Sequence, residues 1–242
     1  MRAPARLAVV FVVLAATVAA GLPDMPSGAA TARTARWWAH HLRGVGDARQ
    51  IIAVTNTSWT SSHATVRTFV RRDGTWHARF TPFHAHIGRR GFGRHKHEGD
   101  EQTPVGSYGV GRLFGTAADP GVRASYRRTD QRDFWVDESA SPYYNRWRRG
   151  TSADGSHAYI DGRYTHVEHL YVPSVYDHAF VIRYNVHYVP GRGSAIFFHH
   201  TNGLGTSGCV AVADRRIRAL LRWIDKTRGI RIVMGPESAV LR

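Results

Sequence analysis

From Gln50 onward the chain alternates short β-branched runs with polar breaks punctuated by glycine. QIIAVTN (50–56) and ATVRTFVRR (64–72) predict strands, because branched side chains suit a pleated, half-buried surface. Asp73-Gly74 between two such runs predicts a tight hairpin. Residues 81–102 carry mixed charge and several glycines and read as loop. TPVGSYGVGRLFG (103–115) has glycines that break any long helix and allow tight β turns. Its Gly109-Val110-Gly111 lacks the following helix that a dinucleotide loop needs. Residues 118–165 read as loop-rich, with DFWVDES (133–139) as a strand and SASPYYNRW (139–147) as a turn region.

HAFVIRYNVHYV (178–189) and SAIFFHH (194–200) predict two more strands. In VADRRIRALLRWIDKTRGI (212–230), Ile217, Leu220, Leu221 and Ile224 fall at helical spacing, with Asp214 at the start and Gly229 beyond the end. IRIVMG (230–235) closes the pattern as a strand. The sum is one mainly β domain with few helices, spanning 48–242.

The N-terminus reads differently. Arg2 and Arg6 precede an apolar run ending near Ala20, which predicts a secretory signal peptide over 1–20. An uncleaved signal is the one expected membrane attachment. Residues 21–47 read as a linker, with the aromatic-basic patch RWWAHHLR (36–43) as a short amphipathic segment.

Charge and cysteine count sharpen this. The 242 residues hold 33 Lys and Arg against 18 Asp and Glu, a formal +15. An exported basic protein suits anionic neighbours such as wall polymers. The arginines are dispersed and no basic tract or aromatic RNA-binding signature occurs, so specific nucleic-acid recognition is not expected. Cys209 is the single cysteine. It has no internal disulfide partner, so in an oxidising compartment it is either deeply buried or kept for reactivity.

The stretch AIFFHHTNGLGTSGCVAV (195–212) favours reactivity. Gly203, Gly205 and Gly208 allow a sharp turn that brings N–H groups near a bound atom. Such a turn, made by Thr206, Ser207 and Gly208, suits an oxyanion. A helix beginning near Asp214 would lower the thiol pKa if it pointed at the sulfur. His199 and His200 supply a base, but in a strand they face opposite sides and only one meets Cys209. Thr201 and Thr206 are candidate orienting groups.

Fifteen histidines raise the question of a metal. HAH (84–86), HKH (95–97) and the 199–200 pair show no helical His-Glu-x-x-His and no supporting acid. VEHL (167–170) offers too little to define a site. No metal and no cofactor are expected, and these histidines read as surface loop residues.

TPVGSYG and the Thr206-Ser207-Gly208-Cys209-Val210 turn after a strand-borne histidine resemble the L,D-transpeptidase catalytic (YkuD-like) family. KHEGDEQTPVG, FWVDESASPYYNRW and EHL followed by VIRYN resemble a short-loop, wall-associated actinobacterial branch. The resemblance spans roughly residues 48–235. It implies a β-sandwich-like catalytic fold with a helix after the catalytic cysteine. It also implies an exported cysteine acyltransferase acting on peptidoglycan stem peptides, as transpeptidase or carboxypeptidase, with Cys209 as nucleophile. It aligns His199 with the base and leaves Tyr184, Asn185 and His200 as substrate-binding candidates. The expected partners are peptidoglycan and anionic wall polymers, met by a monomer. Ser207 stands where better-known members have His, and Ala211 where they have Arg or Asn. A non-catalytic wall-binding domain on the same fold and a metal-dependent hydrolase are the rival readings.

Overall fold

QIIAVTN is apolar at successive positions, and the fold covers both faces of that strand. The structure, a computed structural model, describes residues 28–242, with side chains from Ala35 onward. The predicted signal peptide over 1–20 lies outside the described residues.

The chain runs through α1 (Gly28–His41), β1 (Gln50–Asn56), β2 (His63–Arg72), β3 (Thr75–Ala78), β4 (Phe83–His86), β5 (Phe92–Gly93), β6 (Thr103–Pro104), β7 (Gly106–Tyr108), β8 (Val110–Gly115) and β9 (Tyr126–Arg128). An excursion follows through β10 (Asp133–Val136), β11 (Arg146–Arg149), β12 (Thr151–Ser152), β13 (His157–Ile160) and β14 (Arg163–His169). The chain then returns through β15 (Ala179–Ile182), β16 (Phe197–His200), β17 (Val210–Val212), α2 (Asp214–Trp223), β18 (Ile230–Pro236) and α3 (Glu237–Val240).

The main sheet orders its strands β7-β18-β1-β2-β4-β17-β16-β15-β8-β9, with β3 hairpinned onto β2. It curls so that one face encloses a core from both halves: Ile52, Val54 and Ile232 meet Leu113, Phe180 and Phe198, and Ile217, Leu220 and Leu221 of α2 close it. This is the mainly β, sandwich-like architecture with a C-terminal helix. The β2–β3 hairpin turns on Asp73 and Gly74, both at positive φ (47° and 75°), as the Asp-Gly pair requires.

The opposite face of β1, with Ile51 and Ala53, packs under Ala35, Trp38, Ala39 and Leu42. Within the stretch read from the sequence as linker, residues 35–42 therefore pack on the sheet. Burying Trp38 and Leu42 contributes about 1.5–3 kcal/mol each, and Arg67 stacks on Trp38 at 4.2 Å. Leu42 bridges Leu241, so the helix is tied to the C-terminal end of the chain. Trp37 stays exposed, stacked on His41.

Two expected loops are sheet. β4 is central, between β2 and β17, with Phe83 and Ala85 inward and His84 and His86 on the other face. Residues 133–169 form a five-stranded sheet, β11-β10-β14-β13-β12. Four of its strands have only two to four residues and β11 reads RWRR, so the apolar signal in each is weak. Its own core is Phe134, Val136, Ala158, Ile160 and Val167. It docks on the main sheet through Trp135 against Phe197 and Trp147 against Phe114, both at 5.2 Å between ring centroids.

Candidate active site

β16 and β17 run parallel, with Phe198 opposite Val210 and His199 opposite Ala211. Residues two apart in a strand share a face. His199 therefore lies on the face of Phe197 and Cys209, and Phe198, Val210 and Val212 point into the main core. This register chooses between the two histidines. His200 ends β16 and reaches the rim of the same cleft, its Nδ1 buried and without a hydrogen-bond partner among the described residues.

The cleft has a volume of about 390 Å³. Cys209, His199, Tyr176 and Glu168 line its floor, and Arg89 and Ser207 stand at its mouth. Arg89 Nη1 donates to Ser207 Oγ at 3.2 Å and to Glu101 Oε1 at 2.6 Å.

The cysteine turn is built by hydrogen bonds from two threonines. Thr206 Oγ1 donates to the Cys209 carbonyl at 2.7 Å and accepts from Gly208 N–H at 3.1 Å. Thr103, the first residue of TPVG, is fully buried; its Oγ1 lies 2.9 Å from the Gly208 carbonyl and accepts from Gly88 N–H. The two sequence segments that carried the family resemblance thus meet at this turn. Gly208 sits at φ 140°, and a Cβ there would lie 3.0 Å from the Gln102 carbonyl, so the turn requires glycine. The Gly208 amide is engaged by Thr206; the Ser207 and Cys209 amides have no acceptor among the described residues.

The Cys209 sulfur is 9% exposed as a residue and has two backbone partners. Its S–H donates to Ala195 O at 3.3 Å, and Sγ accepts from Phe197 N–H at 3.3 Å. Burial pushes the thiol up to about 12; the Phe197 amide opposes this. The Glu168 charge raises it further and the Lys96 charge lowers it. The expected helix effect is absent because β17 intervenes. Three strand residues carry the start of α2 about 10 Å beyond Cys209, outside the reach of a helix terminus. Asp214 is the first helical residue; Ala213 is the cap.

His199 is buried, and burial brings its imidazole down to about 4, so the ring is neutral at neutral pH. Its Nδ1 bonds the main-chain oxygen of His200 at 2.7 Å. That carbonyl is the orienting group; Thr201 instead accepts from Gly203 N–H.

Tyr176 and Glu168 were not found by sequence reasoning. The Tyr176 ring packs edge-on against His199, centroids 5.3 Å apart, and its hydroxyl donates to Glu168 Oε1 at 2.9 Å. Glu168 opens partly to the cleft but is enclosed by protein, and this burial raises its carboxyl pKa. It comes from β14, which pairs with β10, the strand of this sheet that the sequence did predict. Lys96 and Asp100 form a buried ion pair beside the turn.

Tyr184 and Asn185 lie elsewhere. Their side chains tie down the 185–193 loop: Tyr184 Oη donates to Arg192 O, and Asn185 Nδ2 to Val189 O and Gly193 O. They line a separate cavity of about 560 Å³ with Arg183, His187 and Arg192. That cavity is the larger one but has neither the thiol nor His199.

Comparison with known proteins decides the family. The L,D-transpeptidase catalytic domain (YkuD) matches residues 57–233. The chain belongs to this family. The match assigns the family and no branch within it. No curated protein matches the chain in sequence. Among solved structures, the helical cell shape determining protein Pgp2 of Campylobacter jejuni is similar at 16% identity and TM-score 0.46. The alignment covers 84% of this chain and 52% of that one, so this chain spans about half the length of that protein. A lysine-to-alanine variant of Pgp2 aligns over the same shares, at 17% identity and TM-score 0.44.

Proposed function

We propose that this protein is an exported cysteine acyltransferase acting on peptidoglycan stem peptides. The observation that carries this is the placement of Cys209 and His199 on one sheet face, at the floor of the cleft, in a chain of this family. Cys209 Sγ attacks the carbonyl on the L-centre of the diamino acid. The amide C–N bond breaks, and the terminal D-residue leaves as an amine with a proton relayed through His199. The Ser207 and Cys209 amides hold the oxyanion. The thioester then passes to an acceptor amine or to water. In the resting enzyme the thiol is held by Ala195, so productive binding moves it toward His199. The basic surface keeps the enzyme at anionic wall polymers.

The test is intact mass after exposure to a tetrapeptide donor, with and without an amine acceptor. An acyl adduct at Cys209, absent in Cys209→Ala, is the expected result. Undiminished stem-peptide turnover by Cys209→Ala would sink the proposal.

A second reading is favoured by the neutral, backbone-bonded thiol. On this reading the domain binds wall material without turning it over. Selective labelling of Cys209 by a carbapenem argues against it, and an inert thiol on a chain that still sediments with peptidoglycan supports it.

A further inference from the structure

Three histidines outside the cysteine cleft converge on the main sheet. His84 and His86 are two apart on β4 and share a face. His63 begins β2 and stands directly opposite His86 in the antiparallel register. One ligand nitrogen from each ring lies within 4.8 Å of the other two. His63 Nδ1 and His84 Nε2 are 2.9 Å apart and bond one another. His86 Nδ1 is buried and has no hydrogen-bond partner among the described residues.

We propose that His63, His84 and His86 form a three-imidazole site for Zn²⁺, separate from the cysteine chemistry. Imidazole nitrogens bind this ion at about 2.0–2.1 Å, and a tetrahedral ion spaces them about 3.4 Å apart. His63 and His84 are exposed, so side-chain rotation alone brings the rings to that spacing. Three protein ligands leave a fourth position for solvent. The HAH spacing alone does not make a site. The third ligand, His63, comes from β2, 21 residues before His84, and only strand pairing brings it in.

The bound ion clamps β2 to β4. Across the sheet the row continues from His86 to Ala211 and from Ala211 to His199. Two strand spacings, about 10 Å, thus separate this site from the base in the cleft. The methyl of Ala211, where better-known family members carry Arg or Asn, is all that stands between them in that row.

The test is Zn²⁺ titrated calorimetrically into the full chain prepared without a polyhistidine tag. One equivalent per chain is expected, and Co²⁺ in its place gives a tetrahedral-type visible absorption band. His63→Gln and His84→Gln, both at exposed positions, lose the equivalent. Cys209→Ala and His97→Gln keep it. Zn²⁺ raises the Tm of the parent chain and leaves that of His84→Gln unmoved. No equivalent in the folded parent chain, its survival in both histidine variants, or its loss in Cys209→Ala overturns the site.

Discussion

The thiol of Cys209 donates to the main-chain oxygen of Ala195 at 3.3 Å, and not to the imidazole of His199. The resting pair is therefore neutral thiol and neutral imidazole, each held so by burial.

Thiol reactivity follows from this. With the thiol pushed up to about 12 from the usual 9.0, the thiolate fraction at neutral pH is lowered about a thousandfold, tenfold for each unit. Alkylation by iodoacetamide, followed by intact mass across pH, should still be rising above pH 9. A plateau below pH 8 would contradict a buried neutral thiol.

His199 makes stability depend on pH in a definite direction. Its folded value, about 4, lies below the ordinary 6.5, so between these values the unfolded chain holds a proton that the folded chain lacks. Stability is fully present above 6.5 and is lost as pH falls toward 4. His199→Gln should remove a few kcal/mol of that dependence. Urea unfolding of both proteins across the window reads the difference. Parallel pH profiles would rule out a depressed imidazole.

Glu168 acts on the thiol through its charge, which raises the Cys209 pKa. Glu168→Gln should speed Cys209 alkylation at fixed alkaline pH. Tyr176→Phe removes a hydrogen bond that favours the Glu168 carboxylate, so the Glu168 pKa rises further. A carbon-detected NMR titration of the carboxyl reads that shift directly.

Asn145 supports the cleft from outside. Its Oδ1 accepts from Trp135 Nε1 at 2.8 Å and from Ala195 N–H at 3.3 Å, and its Nδ2 donates to the Tyr184 and Asn185 carbonyls. It is buried, and its φ of 56° is one that asparagine tolerates. Asn145→Leu leaves those groups unpaired and should cost about 2–4 kcal/mol. It should also loosen the Ala195 contact to the thiol. Chemical denaturation together with Cys209 alkylation checks both. A cost within about 0.5 kcal/mol, the range of an ordinary surface change, would show that Asn145 only occupies a turn.

The sequence by itself determined the local features. Branched runs marked β1, β2 and β18, Asp73-Gly74 marked its hairpin, and the 3.6-residue spacing of Ile217, Leu220 and Leu221 marked α2. The glycine turn and the lone Cys209 pointed to the family. These signals lie within a few residues of one another, where local geometry is decisive. What only tertiary structure decided is relational. Alternation along one strand says that His199 and His200 part company, but the register with β17 says which one shares a face with Cys209. Glu168 enters the cleft because the five-stranded sheet docks there through Trp135 and Trp147, and its carboxylate meets Tyr176 across the docked interface. His63 meets His86 by strand pairing alone. The thiol pKa is decided by tertiary structure for the same reason: burial is set by everything packed around Cys209, and no neighbour in sequence reports it.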